Sequence, residues 1–388
     1  MANEPLTDPL RQEIAAASTH VVVKVGTRVL TDAQGQLNLA RIDRLAEELT
    51  ALSRQGKQVV LVSSGAVGAG MSQLGLKERP TDLPTLQAVA AIGQTNLIES
   101  YDKTFRRYGR HAAQVLLIAD DLAVRPRYLN VRNTLRSLLS LGAIPIINEN
   151  DTVSVDELKT TFGDNDRLAA MVATLLSAEL LVILSDIDGL YDGDPKLASS
   201  KVVSTVSKID AAVEGYVRDR KTGLSKGGMA SKLEAARVVT QNGGAMIIAS
   251  GRQENVLAEI FRGKSLGTLF LPAGKTPSPR KRWLGASARP RGKLTVDAGA
   301  QKAVAQKGTS LLAAGVIEVS GDFQKGDPVA LCDEKGRIFA RGLTNFSQVE
   351  LQKIMGLKSS KIAQVLGYRS YDEVIHRDNL AIIDAEVS

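Results

Sequence analysis

"HVVVKVGTRVL", residues 20–30, is the stretch on which the fold turns. Its first six residues are short, apolar and rich in β-branched side chains, which predicts a buried strand over 20–25. A lysine stands inside that strand at position 24. An ammonium group in an apolar strand is costly unless an anion meets it, so Lys24 reads either as a lysine with an anionic partner or as a strand-end side chain that snorkels to water. Outward from this point, strands and helices alternate. Leu39, Ile42, Leu45, Leu49 and Leu52 recur at helical spacing within 38–55, and Gly56 ends that helix. Strands are predicted over 58–62, 112–118, 143–148, 180–186 and 245–250, and helices over 83–107, 126–141, 165–177 and 229–241. This alternation predicts an α/β three-layer sandwich with a mainly parallel central sheet.

Composition narrows the class. The chain has 388 residues, 44% hydrophobic and 23% charged, as soluble globular proteins do. No apolar run is long enough to span a membrane, and the N-terminal stretch does not read as a signal peptide, so the expected compartment is the cytoplasm. A single cysteine, Cys332, excludes an internal disulfide framework and a cysteine-rich zinc site, and three scattered histidines form no metal cluster.

Near residue 272 the pattern changes. "PAGKTPSPRKRWLGASARPRGK" (272–293) carries four prolines and seven basic residues, and 274–290 reads as a linker after a domain over 18–273. The runs "KLTVD", "GVIEVSG", "DPVALCD" and "RIFARGL" then predict a small β-barrel-like domain over 291–370, with two short helices and a tail to 388. The net charge of +7 is concentrated here, since residues 274–388 hold 18 Lys and Arg against 12 Asp and Glu. A polyanion partner and a solvated basic face both fit that excess.

Ligands of open α/β sheets sit outside the carboxyl ends of the strands, so the loops that follow the strands carry the chemistry. Lys24 leads into Gly26 and Thr27. "SSGAVGAG" (63–70) offers hydroxyls and backbone N–H groups to an anion. Asn148, Glu149, Asn150 and Asp151 follow the strand 143–148, and "GDNDRLAA" (163–170) opens a helix with Asn165 and Asp166 in its first turn. Ser185 and Asp186 close the strand 180–186. "SKGGMASKLEAA" (225–236) sets a glycine pair before Lys232, although its spacing is not that of a P-loop. Each loop has an ordinary reading as a cap or turn; their joint placement points to a site. Two lysines aimed by one carboxylate suit phosphoryl transfer, in which charge spreads over the equatorial oxygens of the moving group.

"KVGTRVL" (24–30), "VSSGAVGAG" (62–70), "INENDTV" (147–153), "FGDNDRLAA" (162–170), "LSDIDGLYDGDP" (184–195) and "GGMASKLEAA" (227–236), in this order, resemble the glutamate 5-kinase family of the amino-acid kinase superfamily. The resemblance covers about 18–273, and about 290–370 resembles a PUA domain.

It implies ATP-dependent phosphorylation of the L-glutamate γ-carboxylate to glutamyl 5-phosphate, the first step of proline biosynthesis, with magnesium and with inhibition by proline. Carried over residue by residue, it makes Lys24 and Lys232 phosphate-binding and catalytic, with Asp166 orienting both. Ser64, Gly65, Asn148, Asp151 and Asn165 fall at acceptor positions. Ser185, Asp186 and the run Lys226, Gly227, Gly228, Met229, Ala230, Ser231 and Lys232 fall at nucleotide positions. No protein ligand for a metal is assigned. Lys226 departs from the pattern, since the family more often has a small or hydroxyl residue there. A homo-oligomer, dimer or tetramer, is expected. RNA is an alternative partner of the PUA-like part, but no aromatic-rich platform supports it, which favours structural or regulatory use.

Overall fold

The computed structural model describes residues 7–32, 36–153, 165–217, 228–274, 278–368 and 371–383. The chain divides into two units, one spanning Met1–Leu122 and Pro126–Thr276, the other Ala123–Arg125 and Pro277–Ser388.

The larger unit is built on an eight-stranded sheet. Its strands are β1 (His20–Val25), β2 (Gln58–Ser63), β3 (Ala112–Leu117), β4 (Ile144–Glu149), β5 (Leu180–Ser185), β6 (Thr205–Val206), β7 (Ala245–Ser250) and β8 (Thr268–Phe270). They lie in the order β3-β4-β2-β1-β5-β7-β8-β6. All pairings are parallel except β7 with β8. Strands buried on both faces in this way read as continuous Val, Ile and Leu runs, and β5 is buried at every position. The α/β class and the mainly parallel sheet are those expected from the alternation of elements.

β1 lies at the centre, paired with β2 and β5, and Lys24 stands opposite Val62 and Ile183. Successive side chains of a strand point to opposite faces. Val21, Val23 and Val25 enter the core formed with Ile42, Leu45, Leu49 and Tyr101. Lys24 therefore shares the other face with Val22, on the side where the helix Asn165–Leu176 packs. That helix is buried from Leu168 to Leu176, so its first turn is held firmly against the sheet. A second helix, Met229–Gln241, packs beside it.

Two glycines bring two further helices into backbone contact. A Cβ at Gly70, in the helix Ala66–Leu74, would lie 1.9 Å from the Val89 carbonyl oxygen. A Cβ at Gly93, in the helix Leu83–Arg107, would lie 1.8 Å from the Ala66 carbonyl oxygen. No side chain larger than hydrogen fits either position without moving a helix.

The smaller unit holds β9 (Gly292–Val296), β10 (Val316–Gly321), β11 (Pro328–Cys332), β12 (Ile338–Leu343) and β13 (Leu380–Ile382), in the order β10-β9-β11-β12-β13. Two departures from the sequence reading are found here. The stretch read as a linker carries a helix, Pro279–Ala286, capped by Ser278, with Trp283 and Leu284 buried. Its prolines suggested a spacer, but a proline in the first turn starts a helix, because its missing N–H has no partner to lose there. The stretch read as a tail supplies β13, whose backbone pairs with β12.

Candidate functional site

The carboxyl ends of β1, β2, β4 and β5 converge with the first turns of two helices. Asp166 is the second residue of the helix Asn165–Leu176 and is fully buried. Its Oδ1 lies 2.5 Å from Lys24 Nζ, and its Oδ2 lies 3.0 Å from Lys232 Nζ. Both lysines are themselves buried, at 5% and 4% exposure. Burial by itself would raise the Asp166 carboxyl, but the two ammonium groups outweigh it and hold the pKa below the ordinary carboxylate value. Asp166 thus stays ionised at neutral pH, and both cations keep fixed positions.

Local sequence explains how Lys232 reaches this point. The helix Met229–Gln241 starts after Gly228, and Lys232 falls one turn in, on its buried face. Ser231 donates its hydroxyl to Asp166 Oδ2 at 3.1 Å and lies the same distance from the Gly228 carbonyl oxygen. Met229 and Ala230 form the half-buried start of the helix. Lys226 and Gly227 lie outside the described residues.

Asn165 belongs to a second group. Its Nδ2 lies 2.9 Å from the Ser63 carbonyl oxygen, 2.8 Å from Ser64 Oγ and 3.1 Å from Asn148 Oδ1. Asn148 is buried, and its Nδ2 donates to Gln94 Oε1 at 2.7 Å. Gly65 caps the helix Ala66–Leu74 with φ of 106°, a left-handed conformation that favours glycine. Asp151 lies half-buried in the turn that follows β4.

Ser185 and Asp186 form a third group beside the first. Ser185 donates to Asp186 Oδ1 at 3.2 Å, and Arg28 donates to Asp186 Oδ2 at 3.0 Å. Partial burial raises this carboxyl, and the Arg28 contact with the other hydrogen bonds brings it below its ordinary value.

The structure therefore unites Lys24, Asp166, Ser231 and Lys232 at one centre, and Ser64, Asn148 and Asn165 at a neighbouring one. Gln94 and Arg28 belong to the same surroundings and escaped the sequence reading. Gln94 sits mid-helix among residues with no loop signal. Arg28 lies inside a quoted motif, but nothing in its spacing announces Asp186, more than 150 residues away.

Chemically, two fixed cations on one carboxylate are suited to hold the oxygens of a polyanion. Backbone N–H groups at the start of a helix and behind glycines add further donors. Among the described residues no group of three His, Cys, Asp or Glu side chains could hold a metal ion, and no helix is long and apolar enough to cross a membrane.

Comparison with known proteins gives this arrangement its class. A model of the amino acid kinase family matches residues 19–250, and a model of the PUA domain matches 292–366. Among full-length relatives, the glutamate 5-kinase of Rhodopirellula baltica is 49% identical over 373 residues, which are 96% of each chain. That of Thermoanaerobacter sp. strain X514 is 48% identical over 94% of this chain and 98% of its own. That of Syntrophotalea carbinolica is 46% identical over 96% and 100%. The chain belongs to the glutamate 5-kinase family of the amino acid kinases, and carries a PUA domain. It is a kinase, and uses a nucleotide as phosphoryl donor.

Proposed function

We propose that this enzyme phosphorylates the γ-carboxylate of L-glutamate with ATP, giving L-glutamyl 5-phosphate for proline biosynthesis. The observation that supports the reading most is the shared carboxylate, with Lys24 and Lys232 held at 2.5 and 3.0 Å from the two oxygens of buried Asp166. The acceptor carboxyl has a pKa of about 4.3, so it is already an anion at neutral pH and needs no general base. What it needs is alignment with the phosphorus and relief of charge on the moving group. Lys24 and Lys232 supply that relief, and Asp166 aims both. Ser185, Asp186 and the segment from Gly228 to Lys232 hold the nucleotide. Ser64, Gly65, Asn148, Asp151 and Asn165 surround the acceptor, with Asp151 and Asn165 on its ammonium group and Ser64 on its carboxylate.

Magnesium would offset charge on the nucleotide phosphates; no protein ligand is assigned to it, and among the described residues no group of three His, Cys, Asp or Glu side chains could hold an ion. We further place the kinase domain over 18–273 and the PUA domain over 291–370, in a cytoplasmic dimer or tetramer restrained by proline at a site that overlaps the acceptor's. The PUA domain serves structure or regulation more than RNA.

The test is ATP consumption by the purified enzyme with L-glutamate, L-aspartate or no acceptor, each with and without proline. Turnover with glutamate that proline suppresses is expected. Turnover with aspartate and none with glutamate would overturn the assignment of substrate.

A further inference from the structure

We propose that Gln94 is a positioning residue for the acceptor amino acid, acting through Asn148 on Asn165 and Ser64; this rests on reading the latter two as acceptor-site residues. Two backbone groups here have a polarity that cannot change. The Glu149 N–H can only donate, and it meets Asn148 Oδ1 at 2.9 Å. The Ser63 carbonyl can only accept, and it meets Asn165 Nδ2 at 2.9 Å. These two contacts orient both amides.

The rest follows by elimination. Asn148 Oδ1, held by Glu149, also faces Asn165 Nδ2 at 3.1 Å. Asn148 Nδ2 must then point the other way, and there it donates to Gln94 Oε1 at 2.7 Å. Asn165 Nδ2 also lies 2.8 Å from Ser64 Oγ, its two hydrogens being shared among three oxygens; because an amide nitrogen cannot accept, the hydroxyl accepts on this side and keeps its own hydrogen to donate. Because an amide is planar, Asn165 Oδ1 is turned away from Ser63 and Asn148. The wall therefore presents a donor from Ser64 and an acceptor from Asn165. That pair complements a carboxylate and an ammonium, the two groups of an amino-acid zwitterion.

Gln94 terminates this relay, and its place is set by its neighbour. Gly93 lets the helix Leu83–Arg107 lie against Ala66 at backbone distance, and the next residue, Gln94, meets Asn148 of β4. Asn148 is 4% exposed, so an N–H group left there without an acceptor would reorient the amide or admit water. Either change would disturb the partner contacts of Asn165 and Ser64 and leave the phosphate-binding lysines alone.

The test uses steady-state kinetics on the full chain with L-glutamate and ATP. Gln94→Met removes the acceptor at similar length, and Gln94→Ala, which suits a helix, repeats the measurement should the first variant fold poorly. Either is expected to raise KM for glutamate roughly tenfold, with KM for ATP within about twofold of the parent. In an Asn165→Ala background the same change should add nothing further, since Gln94 acts through that residue. An unchanged KM for glutamate, an equal rise for ATP, or additive effects would each overturn the proposal. If Asn165→Ala itself leaves KM for glutamate unchanged, the reading of the acceptor site fails. If it raises KM and the Gln94 variants do not, only the role of Gln94 fails.

Discussion

Asn165 and Asp166 are consecutive residues of one helix, yet they serve two centres of opposite character. Around Asp166 the contacts are ionic, with two buried ammonium groups on one carboxylate. Around Asn165 they are neutral, with amides, a hydroxyl and a backbone carbonyl in a chain. The ionic centre is insensitive to hydrogen-bond polarity, because a carboxylate only accepts and an ammonium only donates. Its demand is that charge be matched, since a buried ion without a partner is expensive. The neutral centre has the reverse property. Each amide could be turned either way, so its meaning depends on the two backbone groups that orient it. One turn of helix thus joins a centre suited to bind phosphate with one suited to recognise an amino acid.

Variants can break this contrast in order of effect. The largest loss belongs to the lysines. Lys24→Ala or Lys232→Ala should lower kcat by about two to three orders of magnitude, while circular dichroism still reports a folded chain. Turnover near that of the parent in either variant would remove the lysines from the mechanism.

Asp166→Asn comes next, and it should cost stability as well as rate. Removing one partner of a buried ionic cluster typically costs about 3–5 kcal/mol, which denaturant titration would measure. The pH dependence has a definite sign. The folded-state pKa of Asp166 lies below its unfolded value, so its ionised form contributes stability above pH of about 4. That contribution is lost as pH falls through the folded-state pKa. In Asp166→Asn the acid limb of the stability profile should flatten.

The smallest effect is expected at Arg28. Its side chain is 82% exposed, and its pair with Asp186 is screened by solvent. Arg28→Ala should change stability by less than about 1 kcal/mol, and a larger loss would mean that this pair belongs with the buried cluster.

Much of the fold was legible in the order of residues. β1 and β7 fall where their continuous apolar runs placed them, because burial on both faces imposes such runs, and the helices over 83–107 and 229–241 also fall where they were expected. The helix Ala66–Leu74 was hidden inside a glycine-rich motif that reads as a loop, and the helix at 279–286 was hidden by prolines. The first is held by the backbone-distance packing of Gly70 and Gly93, whereas the second is started locally by Ser278 and the proline at its first turn.

The site divides along the same line. By itself, the sequence set a lysine inside an apolar strand, where an anionic partner or a snorkelling side chain both fit, and showed that polar loops followed the strands. It also determined the family, through six motifs in order. The family resemblance already set Asp166 between the two lysines; only the tertiary structure decided that each lysine meets its own oxygen of that carboxylate and that Gln94 reaches Asn148. These contacts join residues separated by 54 to 142 positions, and which oxygen faces which nitrogen is set by the packing of helices on a sheet. A linear pattern records which side chains are buried; it does not record which of them meet.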